Sequence, residues 1–131
     1  MKAARGLIVT HGRLGEELIA AAALILGHAD GLTATTNDGL STGALRDQVS
    51  DFLAQDADSP VVLLVDLLGG SCAQAGAALV DPSRVRLVTG VNLAMVIAFL
   101  SGREREPLDQ LVEGIVARGH RGIQTFPAAV A

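Results

Sequence analysis

The sequence predicts an α/β fold, an open and mostly parallel sheet with helices on both faces. Three observations carry this prediction. Short apolar runs alternate with longer segments of helical periodicity, the connections between them are short and marked by glycine, and Val61 to Val65 has no polar member. A run of that kind suits a parallel strand covered on both faces, and right-handed crossovers then place helices above and below the sheet. The 131 residues fit a single domain spanning 1–131, long enough to bury a continuous core without disulfides or a structural metal. Half the residues are hydrophobic but only 2% are aromatic, so packing must rest on aliphatic side chains and close backbone approach.

The elements follow in order. Gly6 to Thr10 is a short apolar strand, and from Gly15 the spacing of Leu18, Ile19, Ala22, Ile25 and Leu26 changes to one helical face, which Gly27 ends. A weaker strand, Leu32 to Thr36, precedes the turn Asn37-Asp38-Gly39. Next comes a helix with Ser41 or Thr42 as N-cap and an apolar stripe of Leu45, Val49, Phe52 and Leu53. Pro60 introduces the central strand Val61 to Val65. Gly69-Gly70 then turns the chain into a small-residue helix over Ala73 to Val80, followed by a buried strand at Val85 to Val88. Asn92 can cap an apolar helix from Leu93 to Leu100. The last helix starts at Pro107 as its first residue, shows Leu108, Leu111, Val112, Ile115 and Val116, and closes at Arg118 and Gly119. Ile123 to Phe126 reads as an antiparallel edge strand at the C-terminal end. No internal repeat, low-complexity tract or linker interrupts the chain.

Composition narrows function. The net charge is −4 and the basic residues are scattered, so there is no electrostatic footprint for nucleic acid or an anionic membrane surface. Apolar runs break well short of the roughly 20 residues a membrane span requires, and the N-terminus lacks a secretory cleavage pattern, so a cytoplasmic protein is expected. The single cysteine, Cys72, can form neither an internal disulfide nor, alone, a thiolate metal site.

In open parallel sheets ligands gather beyond the carboxyl ends of the strands. Three strand ends carry a polar group beside a glycine: Thr10-His11-Gly12, Asp66-Leu67-Leu68-Gly69-Gly70-Ser71 and Thr89-Gly90-Val91-Asn92. His11 is a candidate nucleophile, because a neutral imidazole nitrogen attacks phosphorus near neutral pH while the other nitrogen is held by a hydrogen bond. Asp66 is the natural holder: a carboxylate accepting from Nδ1 sets the tautomer and stabilises positive charge developing on the ring. Gly69, Gly70 and Ser71 open a helix whose free N–H groups suit an anion, with the Ser71 hydroxyl as an extra donor. Each residue also has a plainer reading. His11 can be a satisfied surface or core histidine, Asp66 a cap of the following turn, Asn92 a helix cap, and Cys72 a small buried filler. His28 and His120 sit at helix ends and read as ordinary.

Taken together, Ile8-Val9-Thr10-His11-Gly12 with Leu14-Gly15-Glu16, Val65-Asp66-Leu67-Leu68-Gly69-Gly70-Ser71, and Thr89-Gly90-Val91-Asn92-Leu93-Ala94-Met95 resemble the mannose-class IIA domain of the bacterial sugar phosphotransferase system. The resemblance covers nearly the whole chain. It implies a mostly parallel sheet, a homodimer, and a final edge strand exchanged between subunits, here Ile123 to Phe126. It implies that a phosphohistidine carrier protein donates a phosphoryl group to His11 and that a IIB domain accepts it, phosphorylating a sugar imported through membrane permease components. Asp66 matches the orienting aspartate and Ser71 the serine at the phosphoryl seat, with Thr10 and Asn92 at the site's edge. No cofactor, metal or nucleotide is implied. The chain departs from the family's usual pattern where Cys72 and Ala94 replace prolines, and where Leu67 or Leu68 replaces an aromatic residue. Losing proline in a first helical turn lowers its pre-organisation.

Other readings use the same residues. A regulatory module would present its phosphorylation state to other proteins without transport. A metal-handling enzyme would need more ligands than one imidazole and one carboxylate. A histidine phosphatase requires an arginine where Thr10 stands, and a nucleotide site requires a glycine-rich loop ending in Lys-Ser or Lys-Thr, which the chain lacks.

Overall fold

Alternation with period two along each strand sorts the sheet's side chains between two cores. Ile8, Val62, Leu64 and Val88 point to one face, and Leu7, Val9, Val61, Leu63, Val65 and Val85 to the other. In the computed structural model, which describes residues 1–128, these strands belong to the series β1 (Arg5–Thr10), α1 (Leu14–Leu26), β2 (Leu32–Thr36), α2 (Thr42–Ala54), β3 (Val61–Val65), α3 (Ser71–Ala77), β4 (Val85–Val88), α4 (Leu93–Gly102) and α5 (Leu108–Arg121). The sheet order is β2-β1-β3-β4, every pair parallel. Residues of α1, α4 and α5 cover the first face around the fully buried Phe99, and residues of α2 and α3 cover the second. Each fully buried Leu, Ile or Phe contributes about 1.5–3 kcal/mol, so two such faces hold β3, which is buried at every residue, as the spine of the fold.

The amino ends of the strands have their own fastening. Helix α2 has no basic residue in its last turn. Instead the Arg5 guanidinium donates to the carbonyls of Phe52 at 3.0 Å and Asp56 at 3.2 Å, and Arg84 donates to those of Leu53 and Asp56, each at 2.9 Å. Two cations from other parts of the chain thus satisfy the carbonyls at the end where the helix dipole is negative.

Several boundaries differ from the sequence prediction. Ile25 lies on the exposed side of α1, whose packed face is Gly15, Leu18, Ile19, Ala22 and Leu26. Helix α3 spans Ser71 to Ala77 rather than Ala73 to Val80: Leu79 and Val80 donate to Gly76 and Ala77, three residues back, which winds the chain out of the helix. Pro107 is the extended N-cap of α5 rather than its first helical residue. Gly119 does not close α5, which continues to Arg121. Its role is close approach, since a Cβ there would stand 2.6 Å from Met95 Cγ on α4. The expected edge strand at Ile123 to Phe126 is absent from the chain's own sheet. That segment leaves α5 without pairing to β4, with Ile123 74% and Phe126 91% exposed. A strand needs a neighbour for its N–H and C=O groups, and among the described residues this segment has no strand partner.

Candidate functional site

The strand order reverses direction at β1: the chain passes from β1 outward to β2, then crosses back to β3 on β1's other side. Such a switch point leaves a crevice outside the carboxyl ends of the two inner strands. The residue after β1 is His11 and the residue after β3 is Asp66. The register Val9↔Val65 brings them side by side.

Asp66 holds His11 twice with one oxygen. The His11 backbone N–H donates to Asp66 Oδ2 at 2.9 Å, and ring Nδ1 lies 2.8 Å from the same atom. The other carboxylate oxygen accepts the Leu67 N–H at 3.1 Å. Burial pushes the Asp66 carboxyl up, but the two hydrogen bonds and the charge of His11, with its own loop's N–H, outweigh this and hold its pKa below the ordinary value. An ionised carboxylate only accepts, so Nδ1 carries the proton. In the neutral ring the lone pair then resides on Nε2, and the side chain is 48% exposed while that of Asp66 is 10% exposed.

The neighbouring loops are tied to the same edge. Thr10 is fully buried and its hydroxyl oxygen accepts the Gly15 N–H at 3.0 Å, which fixes where α1 starts relative to His11. Gly70 takes φ +96°, a left-handed value open to glycine at little cost, and turns the β3 exit directly into α3. Ser71 follows as the first residue of α3. Asn37 Nδ2, at the end of β2, donates to Ser71 Oγ at 3.1 Å, which occupies the hydroxyl's acceptor side. The Cys72 thiol lies 4.0 Å from His11 Nδ1. Burial pushes the thiol pKa up, the Asp66 charge adds to this, and a hydrogen bond from Ser71 opposes it, so the group is a protonated thiol at neutral pH.

The structure therefore brings together His11, Asp66 and the start of α3. Asn92 is placed differently. Its Oδ1 accepts the Met95 N–H at 2.9 Å as the cap of α4, and its Nδ2 donates to the Gly119 carbonyl at 3.2 Å, so the side chain is committed to joining α4 and α5. His28 accepts a hydrogen bond from the Asp30 N–H at 3.3 Å, and His120 lies at a groove beside β4, both away from His11. Sequence reading missed Asn37, whose signal was only its position in a turn after a strand, and the approach of Cys72 to the histidine.

Residues 6–116 match the EIIA-man family, described as the PTS system fructose IIA component. The chain belongs to this family. An EIIA-man chain is a component of a phosphotransferase system. The mannose-specific EIIAB component of Escherichia coli strain K12 is 30% identical over 126 residues, or 93% of this chain. This chain spans 39% of that relative's length. Among solved structures, EIIA from Streptococcus agalactiae superposes with TM-score 0.82 at 25% identity, covering 95% of this chain and 98% of that one. The mannose/sorbose-specific IIA subunit from Enterococcus faecalis gives 0.84 at 24% identity, with 99% of each chain covered, which establishes the shared four-stranded parallel fold. No helix among the described residues is long and apolar enough to cross a membrane.

Proposed function

We propose that this EIIA-man chain carries a phosphoryl group on Nε2 of His11, accepting it from a phosphohistidine carrier protein and passing it to a IIB domain for sugar uptake. The observation that carries the reading is the double grip of Asp66 on the His11 N–H and Nδ1. In the transfer, the Nε2 lone pair forms a bond to phosphorus as the donor's P–N bond breaks, and the donor imidazole keeps that electron pair. His11 then bears positive charge on its ring, next to a carboxylate already placed to stabilise it. Transfer between two histidines needs alignment and charge stabilisation more than further covalent chemistry, so a small domain is enough. Gly69, Gly70 and the Ser71 hydroxyl, at the start of α3, seat the phosphoryl oxygens, while Thr10 sets the loop that carries His11.

A mannose-specific EIIAB relative, named for both A and B components, supports a IIB domain as the acceptor. The reading places the protein in the cytoplasm with its carrier, in indirect contact with membrane permease components. It also makes the working form a homodimer, in which Ile123 to Phe126 of each chain pairs with the partner. Incubation with phosphoenolpyruvate, the first enzyme of the system and its carrier protein should label the wild type and leave His11→Ala unlabelled. An unlabelled wild type, or undiminished label on His11→Ala, overturns the proposal.

A further inference from the structure

We propose that His11, Asp66 and Cys72 form a three-ligand site for a thiophilic divalent cation, Zn²⁺ by preference, and that its occupancy blocks phosphoryl acceptance at Nε2. In the sequence, one imidazole and one carboxylate fall short of a metal shell. Folding supplies the third ligand. His11 Nδ1, an Asp66 oxygen and Cys72 Sγ all lie within 4.8 Å of one another, with Nδ1 2.8 Å from Oδ2 and 4.0 Å from Sγ. Tetrahedral zinc, with bonds of about 2.0 Å to nitrogen or oxygen and about 2.3 Å to sulfur, sets its ligands roughly 3.3–3.6 Å apart. To meet those spacings Nδ1 and Oδ2 open and Nδ1 and Sγ close by about half an ångström each, while the Asp66 oxygen and Sγ, within 4.8 Å of one another, close by up to about 1.3 Å. Each Asp66 oxygen accepts one backbone N–H, Oδ1 from Leu67 and Oδ2 from His11; Oδ2 is the one beside Nδ1 and so the ligating oxygen, and the two N–H groups supply outer-shell contacts. Cys72 itself is buried, and the half-exposed imidazole 4.0 Å from its sulfur is the side from which an ion, and a water as fourth ligand, would reach it. A thiolate with an imidazole and one carboxylate favours zinc over magnesium or calcium.

Binding balances in protons. The thiol releases one proton as sulfur takes the metal. Nδ1 exchanges its proton for the metal, and in a neutral imidazole that proton then resides on Nε2. The lone pair that would attack phosphorus is thereby lost, so metal and phosphoryl acceptance exclude one another at a single ring. The metal site stands on the three side chains alone, whereas its blocking effect rests on the function proposed above.

The test uses untagged full-length protein with Co²⁺ as a spectroscopic stand-in for Zn²⁺. One equivalent of Co²⁺ should give a tetrahedral spectrum with a thiolate charge-transfer band, abolished by added Zn²⁺ and absent from Cys72→Ala and Cys72→Ser, with circular dichroism reporting that both variants fold. In the labelling assay, protein loaded with one equivalent of Zn²⁺ and desalted should take up phosphoryl groups at least about tenfold more slowly than metal-free wild type. The same loading should change either Cys72 variant by less than about twofold. No thiolate band in the wild type, or equal metal inhibition of the Cys72 variants, overturns the site. Full labelling with metal bound overturns the exclusion. If metal-free wild type takes no label, the proposed function falls, while the cobalt spectrum still decides the site.

Discussion

Asp66 does two jobs with one oxygen, since Oδ2 fixes both the backbone and the ring of His11. Changing Asp66 to Asn keeps the size of the side chain but removes the charge that faces the imidazole. Phosphoryl uptake by Asp66→Asn should fall by about two orders of magnitude, measured as the initial rate of labelling at a fixed concentration of phosphorylated carrier. A rate within a few-fold of wild type would mean that the carboxylate only positions the loop. His11 and Asp66 were legible in the sequence because each is the first polar residue after an apolar run, and the fold class sets where such residues go. The contacts of Asn37 with Ser71 and of Cys72 with His11 were not. They join residues 34 and 61 positions apart, and depend on strand order and on the turn at Gly70, which no local pattern encodes.

At the level of elements, the helices and central strands follow their periodicity closely, and the errors fall where an element's end or partner is decided by packing. Gly119 is one such place, because glycine near a helix end signals termination in sequence but here admits Met95. In Gly119→Ala, higher helix propensity favours the variant by about 1 kcal/mol. Overpacking against α4 costs about 1–3 kcal/mol, so the clash should win and lower the urea midpoint. The connection from α2 to β3 supports a second prediction. Asp56 accepts hydrogen bonds from the Ser59 hydroxyl at 2.6 Å, from Lys2 Nζ at 2.9 Å and from the Asp58 N–H at 3.1 Å. Those contacts, led by Ser59, hold its pKa well below the usual carboxylate range. Because the folded value lies below the unfolded one, the stabilisation is fully present above about pH 4 and is lost as pH falls through the folded pKa. The stability advantage of wild type over Asp56→Asn should therefore be greatest near neutrality and vanish in strong acid, as read from denaturant midpoints along a pH series. An advantage independent of pH would refute this.

At the scale of the whole molecule, the sheet ends in two edge strands, β2 and β4. β4 pairs only with β3, and beside it runs an apolar groove of about 600 Å³ lined by Leu87, Val88, Val112, Val116 and Ile123, with Leu68 at its rim. The C-terminal segment that the sequence marked as a strand starts at this groove but finds no strand partner among the described residues. Sequence reading marked Ile123 to Phe126 as an antiparallel edge strand, and the family resemblance implied that it is exchanged between subunits. Removing residues 123–131 should turn the proposed dimer into a monomer in sedimentation experiments while leaving α-helical circular dichroism largely intact; an unchanged mass would exclude exchange of this segment. The two ends of the sheet are also built for different purposes. Arg5 and Arg84 fasten the end where the strands begin, about the length of a five-residue strand away from the histidine, on the order of 17 Å. Selection can therefore act on durability and on chemistry through separate sets of positions. Drift in the guanidinium clamp is felt as protein abundance, and drift around the crevice as the identity of the protein that can dock there, so relatives can change partners without renegotiating how they fold.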